Sequence, residues 1–592
     1  MVTENVEGGS VPAEATAEAP ARAVEAGGGA LAGIARGRGL LLAAGALLIG
    51  AAFWYLQFST ASICCGDFDS YYHFRWSQML LEAVRTGNFP PSFNALPLTT
   101  LNPRDYVDHH FLFHVLQIPF TLFPDFQKGA KIGTWLFASL AVFSCFWLLV
   151  RHRVSYPLLW LLLILGSASP FLYRMHMGKA MSVSIVLLVV GIHLLFERKY
   201  RWLLPLAFVF ALTYDMFALL VVAAGFWTAV VLWTERRLEW RPLVFVAVGS
   251  VLGFVINPYF PHNFQLLYEH LVIKVTAKDF STSVGSEWYP YSTWEFLGNC
   301  GTATVAMIAG YLAFRDSAKK EQQRAFFLLL FATFLWVFNA RWRRFSEYFP
   351  PFAVLFAAFA IQPLVARGRA RLFGEAGEAG EVEARGESGR VWEYVLVGTA
   401  FVLFAAPMVW YARITRDDIR GMFHPDYYRG GMKWLSDNTS KGELIFNSDW
   451  DDFPKLFYYN PDLAFVSGLD PTYLLDKDKR LADLYVKVSA GTDMSDEEVG
   501  RMGEMIRDNF CVGEGDRRRC ARYAFTDHEH KDFYNNALDS GWFDVAYEDD
   551  DCVIFRLREQ KGDPIPDNQP PENGPPDEGG DDEPDAEEAP AN

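Results

Sequence analysis

Uncharged apolar runs of 17 or more residues, such as Gly39 to Phe58 and Ile132 to Val150, recur along the first two thirds of the chain. A helix crossing the hydrocarbon core of a membrane needs about 20 such residues. The pattern predicts spans near 39–58, 131–150, 155–172, 180–196, 201–216, 217–234, 241–258, 297–314, 324–340, 346–365 and 393–412, about eleven membrane helices. Residues 201–234 are too long for one helix and short for two, so Tyr214-Asp215 reads as the apex of a tight hairpin. Residues 108–124 are apolar but carry His109, His110 and His114 at their start, and they read as a re-entrant or interfacial helix.

Lys and Arg collect on the cytoplasmic side of short loops, which gives the spans an independent check. Arg36/Arg38, Arg151/Arg153, Arg198/Lys199/Arg201, Arg236/Arg237/Arg241, Arg315 to Arg324 and Arg367 to Arg371 all fall on one side. Arg341/Arg343/Arg344 fall on the other, and arginines that break this rule in an apolar setting suggest a binding role. The N-terminus is then expected in the cytoplasm and the C-terminal part outside. A full crossing at 108–124 would invert the clusters that follow it.

Four parts follow from these patterns: a disordered cytoplasmic tail at 1–37, a transmembrane domain at 38–412 with outer loops at 59–130 and 257–298, an extracytoplasmic mixed α/β domain at 413–559, and a disordered acidic tail at 560–592. Short apolar runs such as Leu444 to Phe446 and Cys552 to Phe555, set between acidic turns, carry the α/β assignment. The tail also explains the net charge of −17, because Lys561 to Asn592 holds eleven Asp/Glu against one Lys. The remainder is only mildly acidic, which argues against nucleic acid as a partner. The apolar spans exclude a plain soluble enzyme. Seven cysteines are too few for a disulfide scaffold, although Cys511 and Cys520 sit close enough in sequence to pair in an oxidising compartment. An Ala/Gly/Arg-heavy composition favours a bacterial inner membrane.

Polar residues with possible chemistry gather in the outer loops. Asp67-Phe68-Asp69 at the first membrane exit, with Arg75 beyond, either holds a hard divalent cation or caps the amphipathic helix that follows. Asp105, Asp108, His109, His110 and His114 are the densest group of potential ligands, and His110 and His114 share a helix face. They form either a transition-metal site or the polar rim of an interfacial helix. The loop Arg174 to Lys179 contains His176 but no carboxylate, and Glu287 stands among aromatic residues in a later outer loop. Arg343 and Arg344 suit either a diphosphate or interfacial anchoring. In the C-terminal domain, Asp449-Trp450-Asp451-Asp452 forms a recognition surface, an oxygen cluster for calcium, or a solvated turn.

In this order the pieces resemble the catalytic subunit of oligosaccharyltransferase, a multi-spanning glycosyltransferase of the GT-C fold. Asp67-Phe68-Asp69 is similar to that family's first acidic motif, Ser283 to Glu287 to its fifth-loop motif, Arg344-Phe345 to its lipid-diphosphate arginine, and Trp450-Asp451 to the Trp-Asp of its WWDYG motif. The resemblance implies an inverting, metal-dependent glycosyltransferase using Mg or Mn. Asp69 and Glu287 would be catalytic, Asp67, Asp69, Glu287 and His176 would hold the metal, Arg344 and Arg75 the donor phosphate, and Trp450 and Asp451 the acceptor. Two departures stand out. The second acidic motif is missing near Arg174 to Lys179, leaving His176 or the cluster of Asp108, His109, His110 and His114 as substitutes. Three positions of WWDYG are occupied by Asp449, Asp452 and Phe453. The expected partners are a polyprenyl-(di)phosphate sugar, a protein or lipid acceptor and the bilayer. Transfer to a lipid or polysaccharide, a non-catalytic relative and a transporter are the competing readings.

Overall fold

The computed structural model describes residues 21–63, 68–268, 284–315, 319–373 and 379–562. The outermost parts of both predicted tails, together with Asp67, Ser283 and much of the later outer loop, lie outside these residues. The chain separates into two compact units. One is built from residues up to Pro91, Val107–Lys278 and Gly285–Pro425, the other from Ser92–Tyr106 and the chain from Asp426 onward, with a few residues before Gly285.

The first unit is helical and belongs to an integral membrane protein. Its helices are α1 (Ala21–Gln57), α2 (Asp69–Thr86), α3 (Phe111–Thr121), α4 (Phe126–Arg151), α5 (Pro157–Leu165), α6 (Ser169–Met175), α7 (Met181–Phe196), α8 (Leu203–Thr213), α9 (Ala218–Glu235), α10 (Arg241–Val255), α11 (Asn263–Tyr268), α12 (Thr293–Ala313), α13 (Gln323–Arg341), α14 (Phe349–Phe373) and α15 (Ala379–Arg420). Every predicted span coincides with helix. Among the described residues seven segments are long and apolar enough to cross a membrane, and α5 with α6 makes an eighth bent by 85°. The other three predicted spans are the shorter apolar helices α7, α8 and α10. The 108–124 segment contains the 11-residue α3, only about 17 Å long and too short to cross.

Local chemistry sets several of these ends. Asp125 caps α4 by accepting from the Lys128 N–H at 3.0 Å, and Ser292 with Glu295 forms a reciprocal cap on α12. The α5–α6 break sits at Gly166, where a Cβ would come within 2.6 Å of the Met408 backbone nitrogen of α15. Only glycine permits that approach, because lipid offers no hydrophobic drive between helices and close packing must hold them together.

The second unit is α/β. Strands β1 (Leu444–Asn447), β2 (Ala464–Phe465), β5 (Tyr523–Asp527), β6 (Phe543–Glu548) and β7 (Cys552–Leu557) form one sheet in the order β2-β1-β5-β7-β6. The first two pairings are parallel, and those of β7 with β5 and β6 are antiparallel. Strands β3 (Cys511–Val512) and β4 (Arg519–Cys520) form a separate ribbon, closed by the Cys511–Cys520 disulfide. Phe446 of β1 lies in the core, stacked on Phe533 at 5.8 Å and edge-on to Phe510. Each such ring contributes about 1.5–3 kcal/mol by its burial. Ser92–Tyr106, which the sequence places in the first outer loop, also belongs to this unit: Ala95 accepts from the Phe465 N–H at 2.8 Å, and Phe93 stacks on Tyr106.

Candidate active site

The first unit gathers Asp69, Lys179, Arg174, Glu287, Arg344 and Glu347 from four separate stretches of chain. Asp69 is the first residue of α2, where its charge faces the N-terminal end of the helix. Its Oδ2 lies 2.7 Å from Lys179 Nζ. The segment between α6 and α7 that carries Lys179 is pinned one residue earlier. The Gly178 N–H donates to Ser70 Oγ at 2.8 Å, and the Gly178 carbonyl accepts from Gln117 Nε2 at 3.1 Å. A Cβ at Gly178 would press on Phe74 at 3.0 Å, so α2 packs directly on this backbone.

Glu287 sits in the short turn Ser286–Trp288 and is clasped by two guanidiniums. Its Oε1 accepts from Arg344 Nη1 and its Oε2 from Arg174 Nη2, both at 2.6 Å. Burial raises the pKa of this carboxyl, but Arg344 and Arg174 overcome it and hold the group well below the usual carboxylate range. Arg174 also donates from Nε to the fully buried Glu347 at 2.8 Å. Arg344 donates to the Tyr214 hydroxyl at 2.6 Å and lies over the Trp288 ring. Lys179 exerts its charge on Glu287 as well, which joins the two pairs electrostatically.

Beside them runs a buried chain of imidazoles. Asp108 accepts from Trp76 Nε1 at 2.9 Å and lies 2.8 Å from His114 Nδ1, and His114 Nε2 lies 2.7 Å from His73 Nδ1. A carboxylate at Nδ1 fixes the His114 proton there, so Nε2 accepts and His73 Nδ1 donates. His110 stacks on Tyr214, its ring centroid 5.2 Å away. Burial, followed by the neighbouring imidazoles, lowers the pKa of both His73 and His110 well below the ordinary value.

Of the sequence candidates, Asp69, Glu287 and Arg344 enter this network. Asp108 and His114 lie beside it in a buried hydrogen-bonded relay, which matches the locally bonded rim among the readings that the sequence left open. His109 touches the His110 ring. Arg75 Nη1 donates to Gln78 Oε1 at 2.7 Å. His176 donates from Nδ1 to Gln57 at 2.7 Å, and burial holds its pKa down to about 3. The expected metal set is not assembled among the described residues. Asp69 faces a lysine, Glu287 faces two arginines, and among the described residues the one group of three or more metal-type donors within 4.8 Å of one another is elsewhere, at His152, His193 and Glu197. Asp67, the fourth expected ligand, lies outside the described residues. Lys179, Arg174, Glu347, Tyr214 and His73 were not chosen from the sequence. The available signal was the acid-free loop at 174–179, whose cations answer the acids of distant segments.

In the second unit Trp450 and Asp451 follow β1 in a turn shaped by Asp449, whose Oδ1 accepts from the Asp451 N–H at 2.9 Å. Asp452 accepts from the Tyr428 hydroxyl at 2.7 Å, and its other oxygen is buried without a partner. Burial, reinforced by Asp449 and Asp527, lifts its pKa well above the carboxylate range. His530 binds Asp527 at 2.6 Å.

No family model and no curated protein matches the sequence. Solved structures do match the fold. The oligosaccharyltransferase of Archaeoglobus fulgidus in its apo form aligns with 89% of this chain and 75% of its own, at a TM-score of 0.54 and 12% identity. The same enzyme tethered to an acceptor peptide containing the NVT sequon gives 0.51, at 13% identity over 88% of this chain and 74% of that one. ArnT from Cupriavidus metallidurans bound to undecaprenyl phosphate gives 0.51, at 14% identity over 89% and 99%. The chain therefore has a divergent, oligosaccharyltransferase-like GT-C fold.

Proposed function

We propose that this chain is a membrane glycosyltransferase that moves a sugar or oligosaccharide from a polyprenyl-(di)phosphate carrier to an acceptor at the outer face of the membrane. The observation that carries the reading is the convergence of Lys179, Arg174 and Arg344 beside Asp69 and Glu287. Relatives in fold bind undecaprenyl phosphate and an acceptor peptide, which suits a lipid-linked donor and an outer-face acceptor.

The chemistry assigned to the site is a single inverting displacement. The acceptor oxygen or nitrogen forms a bond to the anomeric carbon as the bond from that carbon to the phosphate oxygen breaks. Its electron pair leaves on the phosphate, where Lys179 and Arg344 stabilise the growing charge. Asp69, freed as Lys179 turns to the phosphate, takes the acceptor proton. Glu287, kept ionised by its two arginines, holds Arg344 and Arg174 in place. No step runs through a metal, because the described donors already carry cationic partners.

A protein acceptor is the first reading. Transfer to a lipid or polysaccharide is the second, favoured by one observation: the positions flanking Trp450-Asp451 are acidic, and Asp452 is sealed against Tyr428 and not open to a peptide. The test is full-length chain in proteoliposomes supplied with radiolabelled polyprenyl-linked sugar and either a peptide or a glycolipid acceptor. Label should leave the carrier with wild type and not with Asp69→Asn. Equal transfer by both proteins would overturn the assignment.

A further inference from the structure

Away from the charge network, α4 and α7 each carry a second feature at their C-terminal ends. His152 follows the last turn of α4, and His193 and Glu197 stand four residues apart on one face at the end of α7. One donor atom from each lies within 4.8 Å of the others. His152 Nε2 is 3.1 Å from His193 Nδ1, and His152 Nδ1 is 3.9 Å from Glu197 Oε1. Nothing in the proposed transfer uses these residues, since α7 separates them from Lys179 by about 24 Å of helix.

We propose that His152, His193 and Glu197 form a binding site for a divalent transition-metal ion of the zinc class, clamping the end of α4 to that of α7. Two imidazoles and a carboxylate are a donor set for such an ion, and three protein ligands leave a fourth position for water. A tetrahedral ion about 2.0–2.1 Å from two imidazole nitrogens sets them about 3.3 Å apart, close to the separation found here. Trp147, Phe196 and Phe359 wall the two rings, and the His152 side chain is only 1% exposed. Arg151, 3.5 Å from Glu197, is the competing cation. Its side chain is 45% exposed, so it can turn to water when an ion arrives.

The experiment uses untagged full-length chain in detergent, stripped with EDTA and titrated with Co²⁺, which reports tetrahedral binding by its visible d–d absorption, and then with Zn²⁺ as competitor. One equivalent should bind to wild type, and binding should weaken at least about tenfold in His193→Gln and in Glu197→Gln. Zinc should raise the melting temperature of wild type and leave that of Glu197→Gln unchanged. Glu197 is partly exposed, so this variant keeps the test decisive if the histidine variant fails to fold. Absence of the absorption band, or equal binding by wild type and both variants, would overturn the proposal.

Discussion

Lys179 Nζ lies 2.7 Å from Asp69 Oδ2, across 110 residues of chain, at the point where the family resemblance led us to expect a metal ion. A lysine there supplies one positive charge on a flexible stem, with three hydrogen-bond donors. Removing it by Lys179→Met should cut turnover of a polyprenyl-linked sugar by about 100-fold, the scale of losing one preorganised electrostatic partner of a leaving group. Wild-type turnover should survive EDTA with less than about a twofold change. Loss of turnover in chelator, restored by Mg²⁺ or Mn²⁺, would return the metal to the site.

Arg344 uses two nitrogens for two partners, Glu287 and the Tyr214 hydroxyl. Lysine keeps the charge but not the fork. Arg344→Lys should lower kcat/KM for the donor about 10- to 100-fold. Steady-state kinetics in proteoliposomes would measure this, and wild-type values in the variant would show that charge alone suffices.

His73 and His110 stay neutral in the folded chain because burial lowers their pKa values. In the unfolded chain each protonates near its ordinary value of about 6.5. Below that pH the unfolded state binds more protons than the folded one, so stability falls on acidification, by up to about 1.4 kcal/mol per pH unit for each histidine. Thermal melts between about pH 7 and pH 5 should show this slope in wild type and a shallower one in the double His73→Gln, His110→Gln variant. Parallel slopes would remove these two groups as its source.

The Cys511–Cys520 disulfide closes a short loop in the second unit. Replacing both cysteines by serine should cost that unit about 2–3 kcal/mol. Differential scanning calorimetry should show one transition lowered by several degrees and any others unmoved.

The membrane architecture was largely legible because apolar length is a local signal, and all eleven predicted spans fall on helix. Their unequal lengths were not legible, since α7, α8 and α10 are shorter than the bilayer core and pass as spans only by composition. In the site, Asp69 stood out as an acid at the first membrane exit, Glu287 as an acid among aromatic residues and Arg344 by its break from the positive-inside pattern, and motif resemblance then joined the three. Lys179, Arg174 and Glu347 were not, because ion pairs between loops leave no periodicity in a sequence, and Glu347 lay concealed in a predicted apolar span. The imidazole relay was left between a metal site and a polar rim for a similar reason: spacing reveals which residues share a face, not which ring nitrogen is already occupied.

Among the described residues of the charge network, Lys179, Arg174 and Arg344 balance Asp69, Glu287 and Glu347 one for one. A network neutral in this way does not simply attract an anion, as a bare basic patch would. A phosphate entering it must take over a cation already engaged, so donor capture is an ion exchange in which a native carboxylate yields its partner. Under the proposed function, arrival of the donor would release Asp69 from Lys179 at the moment a base is required, and without the donor the base would stay quenched. In such an arrangement the substrate itself would arm the site, and the contact that positions the lysine would also suppress idle hydrolysis.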